Sequence, residues 1–225
     1  MTRRRVAILI SGRGSNMAAL LAAAEDPSYP AEIALVLSNR ADAAGLAHAA
    51  SRGVATAVVE SRAFKGDRAG FEAAMEAEIT RRGAEIIALA GFMRVLTGGF
   101  VSRWEGRMIN VHPSLLPSFP GLDTHARALA AGVRLHGCTV HLVTAGVDEG
   151  PILAQAAVPV LPDDTEAALA ARVLAEEHRI YPAALAWLAA GRVRVKDGCA
   201  RIPGAPVATG SLANPLPSAP ALSKR

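Results

Sequence analysis

The sequence alternates short apolar runs with helical stretches throughout its N-terminal part. The predicted strands are residues 6–10, 33–37, 54–59 and 85–90. The predicted helices between them are residues 17–25, 41–52 and 68–82. Continuous apolar runs of this length are typical of strands that are buried on both faces of a parallel sheet. We therefore predict an α/β fold: an open, mostly parallel, doubly wound (Rossmann-like) sheet with helices on both faces.

The C-terminal part adds further strands and one long helix. Strands are predicted from residue 108 and at residues 135–144 and 152–160, with a short helix at residues 124–131. We expect Asp163 or Asp164 to cap a helix that starts near residue 166. Pro182 is expected to kink or break this helix, because proline lacks an N–H group and its ring clashes with the preceding turn. Residues 192–196 are a candidate for a last edge strand.

Length and composition limit the classes of protein that this chain can belong to. Its 225 residues suffice for one domain with a sizeable core, predicted here as residues 1–202. Residues 203–225 are rich in Pro, Ala, Ser and Gly without periodicity, which predicts a disordered tail. Two cysteines are too few for a disulfide framework, so a reducing, cytoplasmic location is expected.

The charge pattern favours small anionic ligands over large partners. The formal net charge is +4, and no stripe of Lys and Arg interleaved with aromatic residues is found. Such a stripe is typical of nucleic-acid surfaces, so we expect no nucleic-acid partner. No apolar run reaches the length needed to cross a bilayer, so no membrane partner is expected either.

A glycine-rich loop follows the first predicted strand. Its residues 11–16 read Ser-Gly-Arg-Gly-Ser-Asn, and a predicted helix comes next. A strand, a glycine-rich turn and a helix together present free N–H groups and a helix N-terminus to a phosphate. The loop is neither a dinucleotide fingerprint, because Met17 takes the place of the third glycine, nor a P-loop. We predict a site for one phosphate at Gly14, Ser15 and Asn16, with Ser15 as the helix N-cap; a plain tight turn is the alternative.

The strand that starts at Met108 carries the strongest candidates for catalysis. Asn110 and His112 lie two residues apart, so their side chains point the same way on an extended strand. An amide and an imidazole directed at one point can stabilise an oxyanion and move a proton. The alternative is a buried strand whose Asn and His are simply hydrogen-bonded.

Three His and Cys residues on a later strand raise the question of a metal site. His136 and Cys138 share one face of the predicted strand, whereas His141 points to the other face. Because metal ligands must converge on one point, we predict no metal here. An acidic turn that carries Asp148 follows, and its default interpretation is an exposed turn.

The carboxyl ends of parallel strands meet at one edge of a sheet, where ligands bind in this class of fold. Residues 14–16, 93–96 and 110–113 all follow predicted strands. We therefore expect one cleft to hold all three segments together.

Four motifs give residues 6–195 a close resemblance to the formyl transferase family, whose transferases and hydrolases use 10-formyltetrahydrofolate. The motifs are Ile-Ser-Gly-Arg-Gly-Ser-Asn, Leu-Ala-Gly-Phe-Met-Arg-Val-Leu, Asn-Val-His-Pro-Ser-Leu-Leu-Pro and Val-Asp-Glu-Gly-Pro-Ile. The first narrows the resemblance to the branch that acts on a phosphorylated glycinamide. The resemblance implies that residues 1–202 are a catalytic domain, which transfers the formyl group of 10-formyltetrahydrofolate to the amine of 5-phosphoribosylglycinamide in purine synthesis.

The resemblance also implies roles for individual residues. It implies a catalytic group of Asn110, His112 and Asp148. It implies phosphate and ribose contacts from Gly14, Ser15, Asn16 and Glu177. It implies folate contacts from Arg68, Met93, Arg94, Val95, Leu96 and Asn110. Two positions depart from the family pattern: Asp123 stands where His or Asn is expected, and Leu174 stands where some relatives carry a polar residue.

The implied ligands are the two small-molecule substrates, with 10-formyltetrahydrofolate as co-substrate and no metal; monomer and homodimer both stay open. Another formyltransferase or hydrolase that uses 10-formyltetrahydrofolate is the nearest alternative. A non-catalytic nucleotide-binding module is a further alternative, but it leaves Asn110, His112 and Asp148 without a role.

Overall fold

A seven-stranded sheet lies at the centre of the computed structural model, which describes residues 2–214. Its strands are β1 (Arg4–Ile10), β2 (Ala31–Ser38), β3 (Thr56–Val58), β4 (Ile86–Leu89), β5 (Met108–His112), β6 (Leu135–Leu142) and β7 (Ile152–Pro159). Their order is β3-β2-β1-β4-β5-β6-β7. Neighbouring strands pair in parallel from β3 to β5, and β6 pairs antiparallel with both β5 and β7. The predicted mostly parallel sheet is confirmed.

Helices cover both faces of the sheet. They are α1 (Ser15–Ala24), α2 (Ala44–Ser51), α3 (Arg68–Arg81), α4 (Gly98–Arg103), α5 (Thr124–Ala130) and α6 (Glu166–Ala189). Alternate residues of β1 enter two separate cores: Ile8 packs in the core that contains α1 and α6, and Leu9 in the core that contains α3 and α4. Both cores need apolar residues, which explains why β1 is apolar at consecutive positions.

Helix α6 runs without a break through Pro182, so the expected interruption is wrong. Proline costs the helix one backbone hydrogen bond. The side chains around Pro182 remain fully buried: Tyr181 has no exposed surface and donates a hydrogen bond from its hydroxyl to the carbonyl oxygen of Leu89 at 2.9 Å. Leu185, one turn later, is also fully buried. Burial on both sides of the proline outweighs the lost bond.

The start of α6 also differs from expectation. Thr165 is the N-cap, and its hydroxyl oxygen accepts a hydrogen bond from the N–H group of Ala168 at 3.2 Å. Asp164 is instead paired with Arg172 at 2.8 Å, and this hydrogen bond lowers the pKa of Asp164 to about 2. The carboxylate is therefore engaged with a side chain rather than with the end of the helix.

Residues 192–196 do not form the expected last edge strand of the main sheet. Strands β8 (Arg194–Lys196) and β9 (Cys199–Arg201) pair with each other as a separate hairpin. Residues 203–214 form neither helix nor strand, although the Asn214 amide donates to the carbonyl oxygens of Arg134 and Val160 at 2.7 and 2.8 Å. The rest of the predicted tail, residues 215–225, lies outside the described residues, and the domain boundary at residue 202 stays a prediction. Within residues 2–214, no helix combines the length and the apolar character needed to span a membrane.

We expect Tyr181→Phe to lower the free energy of unfolding by about 1–2 kcal/mol, because its buried hydroxyl is a hydrogen-bond donor for two strands. The acceptors are the carbonyl oxygens of Leu89 and Ile109, in adjacent strands. The matched control is Tyr29→Phe, at a half-buried tyrosine whose hydroxyl donates, among the described residues, to the Pro182 carbonyl oxygen alone. Urea denaturation measures both variants. Equal losses would contradict a special role for the buried hydroxyl.

Candidate active site

The loop between β1 and α1 presents unengaged N–H groups at a helix end. Gly14 is the N-cap of α1, with φ of 72°, and no side chain caps the helix. Ser15 is the first helical residue, so its predicted role as N-cap is wrong. A Cβ at Gly14 would lie 3.1 Å from the side chain of Met17, in a conformation that L-residues rarely adopt. This end of α1 is therefore open to an anion.

Asn16 and Glu177 form a buried polar pair beside this loop. The Asn16 amide donates to a Glu177 carboxylate oxygen at 2.6 Å, and both residues are more than nine-tenths buried. Burial raises the pKa of Glu177, while the Asn16 hydrogen bond and the charge of His112 act in the opposite direction. The Asn16 Oδ1 atom is buried and accepts no hydrogen bond within residues 2–214. A ligand with hydroxyl or amine groups would suit this pair.

A cleft of about 620 Å³ joins the loop to a second predicted segment. Gly14, Ser15 and Asn16 line one part of it, and Met93 and Arg94 line another part. None of the three catalytic candidates lines this cleft: Asn110 and His112 lie on β5, the strand next to β4, and Asp148 lies in the turn after β6, beside His112. The cleft therefore unites two of the three expected segments, and the third adjoins it through the pairing of β4 with β5.

The His112 imidazole lies between two hydrogen-bond acceptors. Its Nε2 atom is 2.9 Å from the carbonyl oxygen of Phe119, and its Nδ1 atom is 3.3 Å from Oδ2 of Asp148. A carbonyl oxygen only accepts, so Nε2–H donates to it, and Nδ1 faces the carboxylate. The same Asp148 oxygen accepts from the Gly121 N–H group at 2.9 Å. Both nitrogens of the His112 ring therefore face an acceptor, which fixes the orientation of the ring.

Asn110 contacts His141, a residue for which no catalytic role is predicted from the sequence. Its amide nitrogen lies 3.3 Å from Nε2 of His141, and the two residues are paired in adjacent strands β5 and β6. The other ring nitrogen, Nδ1, lies 2.9 Å from the carbonyl oxygen of Leu142 and must donate to it. Nε2 is then an acceptor for Asn110. One amide hydrogen is engaged, and the second is free to face a ligand.

Burial lowers the pKa of His141, and the repulsive charge of His112 acts in the same direction. The Leu142 hydrogen bond and the Asp148 carboxylate, 3.7 Å from Nε2, oppose this shift without reversing it. His141 is therefore neutral at pH 7. No signal local to the sequence revealed this residue, because its partner is set by the register between β5 and β6.

His136 and Cys138, the other two residues considered as metal ligands, have different neighbours in the structure. The His136 ring contacts His125 and Phe119, and its burial lowers its pKa to about 4. Cys138 is packed in an apolar cluster. Within the described residues, no three or more His, Cys, Asp or Glu side chains are grouped to hold a metal ion.

The segment predicted to contact folate is largely exposed. The Met93 and Val95 side chains are 68% and 64% exposed, and Arg94 is exposed as well, whereas Leu96 packs partly against the core. Arg68, at the start of α3, donates to the carbonyl oxygen of Val95 at 2.6 Å. The structure thus brings these five residues together, and their contacts to folate stay a prediction.

The two departures from the family pattern lie in different places. Asp123 is exposed and precedes α5, with φ of 54° and no capping hydrogen bond from its side chain. Leu174 is half-buried on α6, one turn before Glu177.

The fold and this geometry define an α/β protein in which an uncapped helix N-terminus follows β1 and a His–Asp pair lies at β5. Comparison with known proteins identifies the family. The formyl transferase family matches residues 4–185. The chain therefore belongs to the formyl transferase family.

Two relatives and one crystal structure are highly similar to the chain. It is 47% identical over 195 residues to the trifunctional purine biosynthetic protein adenosine-3 of Bos taurus, covering 87% of this chain but only 19% of that protein. It is 42% identical over 199 residues to the phosphoribosylglycinamide formyltransferase of Escherichia coli (strain K12), covering 88% of this chain and 93% of that enzyme. The crystal structure of glycinamide ribonucleotide transformylase 1 from Symbiobacterium toebii superposes with a TM-score of 0.86 at 46% identity, covering 89% of this chain and 94% of that one.

We expect His141 to be mainly neutral between pH 8 and pH 7 and to titrate below the ordinary histidine pKa, because burial lowers its pKa and its Nδ1 proton is held by Leu142. Nitrogen-15 NMR of the ring should show a proton on Nδ1 and none on Nε2 throughout this range. The His141→Gln variant assigns the signal. Titration at the ordinary histidine pKa of about 6.5, or a proton on Nε2, would contradict this tautomer.

Proposed function

We propose that this chain transfers the formyl group of 10-formyltetrahydrofolate to the amine of 5-phosphoribosylglycinamide, a step of purine biosynthesis. The observation that carries the proposal is the His112 imidazole, which lies between Asp148 and a backbone carbonyl group, two residues from Asn110. The anion-binding loop at α1 lies beside this group and supplies a place for the substrate phosphate. The names of the similar proteins support the same substrates.

The chemistry needs no protein nucleophile, because the substrate amine attacks the formyl carbon itself. The amine lone pair forms the new carbon–nitrogen bond, and the carbonyl oxygen becomes an oxyanion. The bond between that carbon and the folate nitrogen then breaks, and the electron pair stays on the folate nitrogen. One proton must leave the amine and one must reach the folate nitrogen, giving the N-formyl product and tetrahydrofolate.

The oxyanion is stabilised by Asn110 and His112 in this proposal. Asn110 offers the amide hydrogen that His141 does not engage. In its protonated form the His112 ring offers positive charge, and Asp148 lies beside its Nδ1 atom. Donors that are held in place before the reaction stabilise developing charge without reorganisation. His112, directly or through a water molecule, also transfers the proton between the two nitrogens.

The substrate-binding roles follow the two parts of the cleft. Gly14, Ser15 and Asn16 bind the phosphate, and the buried Glu177 beside Asn16 binds the ribose. The folate lies along Arg68 and residues 93–96, next to Asn110. Residues 1–202 are the catalytic domain, and both substrates are small molecules.

The direct test is an absorbance assay for tetrahydrofolate release, with and without 5-phosphoribosylglycinamide. We expect release only in the presence of the amine substrate. Release together with formate when the amine is omitted would identify a hydrolase instead. No turnover under either condition would favour a non-catalytic module.

We expect Asn110→Ala and His112→Ala each to lower kcat by about a hundredfold or more, because each removes one group that stabilises the oxyanion. The controls are Asn214→Ala and His48→Ala, which change the same residue types in the tail and on α2. Circular dichroism verifies the fold. A folded variant that retains half of the wild-type turnover would make its residue structural rather than catalytic.

We expect Gly14→Val to raise the KM for the glycinamide substrate about tenfold or more and to leave the folate KM nearly unchanged. A Cβ branch would block the approach of the phosphate to the backbone N–H groups. The matched control is Gly53→Val, because Gly53 has the same φ of 72° but lies after α2. The control separates backbone strain from loss of the phosphate site. A rise in the folate KM instead would mean that the two parts of the cleft are assigned in reverse.

A further inference from the structure

Residues 93–95 are exposed and only Leu96 packs partly against the core, so little apolar burial holds this segment in place. The backbone of residues 93–97 is instead fixed by hydrogen bonds to three side chains, one that follows β1 and two that lie on α3. The Ser11 hydroxyl oxygen, at the end of β1, accepts from the Met93 N–H group at 2.8 Å. Arg68 donates to the Val95 carbonyl oxygen at 2.6 Å. A carboxylate oxygen of Glu72 accepts from the Thr97 N–H group at 2.6 Å.

Glu72 differs from the other two side chains because it is a buried carboxylate. Its residue surface is only 3% exposed, and both carboxylate oxygens are engaged by Thr97: one by the N–H group, the other by the hydroxyl. No Lys, Arg or His is paired with Glu72 among the described residues. Burial of a carboxylate that is met only by neutral donors is unfavourable unless those bonds are made. The buried Glu72 carboxylate therefore restricts Thr97 to one position.

Thr97 connects the buried carboxylate both to α4 and to residues 93–96. It is the N-cap of α4, and its hydroxyl oxygen accepts from the Phe100 N–H group at 3.3 Å. On its other side, Thr97 ends the exposed segment. Within residues 2–214, the N–H and C=O groups of Arg94 and Leu96 make no hydrogen bond. Met93, Val95 and Thr97, whose backbone groups are hydrogen-bonded, thus alternate with Arg94 and Leu96. The backbone groups of Arg94 and Leu96 are free to bind a planar, polar ligand.

We propose that Glu72 is a positioning residue for folate: through Thr97 it holds residues 93–96 so that the free backbone groups of Arg94 and Leu96 face the pterin. The inference rests on the proposed function, because it takes folate as the ligand of this segment. Glu72 itself touches no substrate. Its loss therefore affects folate binding and leaves the glycinamide site and the His112 group intact.

The test compares Glu72→Ala with Glu76→Ala. Glu76 lies one turn later on the same face of α3 and pairs with Arg103 at 2.8 Å, so it is a matched carboxylate that does not contact the segment. We expect Glu72→Ala to raise the Kd for tetrahydrofolate, measured by calorimetry, and the folate KM by about tenfold or more. Glu76→Ala should leave both unchanged. The glycinamide KM should stay within about twofold of wild type in both variants.

Two further variants keep the test decisive if Glu72→Ala does not fold. Glu72→Gln should restore most of the affinity, because its carbonyl oxygen still accepts from the Thr97 N–H group and its amide can donate to the hydroxyl. Thr97→Val should weaken tetrahydrofolate binding on its own, and where Glu72→Ala folds, it should add little to the loss in that variant. Additive effects would contradict action through Thr97.

The outcomes separate this inference from the proposed function. If the wild-type protein transfers formyl groups while the Glu72 and Thr97 variants bind tetrahydrofolate normally, the positioning role is wrong and the function stands. A fall in thermal stability with unchanged Kd and KM would make Glu72 a purely structural residue. If wild type neither binds tetrahydrofolate nor turns over, the proposed function itself fails.

Discussion

The His112 imidazole is held between a carboxylate and a backbone carbonyl group, and the surrounding elements maintain this arrangement. Strand β5 carries the ring, the loop after it supplies the Phe119 carbonyl oxygen, and the turn after β6 supplies Asp148. Gly150 permits that turn, because a Cβ there would overlap the Leu142 carbonyl oxygen. Three separate parts of the chain must therefore be folded before His112 has both acceptors.

Three largely buried carboxylates in and beside the site are held by hydrogen bonds from neighbouring groups. Glu177 is met by the Asn16 amide, and Glu72 by Thr97. Asp148 is met by the Gly121 N–H group as well as by His112. Each carboxylate is costly to bury unless its hydrogen bonds are made, so each one restricts its neighbours to a single position. A fixed position helps a group to stabilise a transition state, because the group need not reorganise as the charge develops.

Much of the fold and part of the site could be predicted from local patterns. The apolar runs near β1, β2 and β4 and the helical stretches between them predicted the α/β sheet correctly. Pro182 was misjudged, because helix propensity ignores the buried Tyr181 hydroxyl and the core around it. Ser15 was misjudged as a cap, because the left-handed conformation of Gly14 places the start of α1 one residue earlier. In both cases packing or backbone geometry overrode the local conformational preference of the residue.

The sequence by itself determined the strand–helix alternation, the open loop at Gly14 and the shared direction of Asn110 and His112. These features depend on backbone geometry over a few residues, which neighbouring side chains specify. Only the tertiary structure decided that His141 meets Asn110, since the β5–β6 pairing and the register shift beside His141 are set by burial across the whole sheet. It likewise brought Glu177 to Asn16, 161 positions apart, because docking of α6 on the sheet depends on contacts that no local pattern contains.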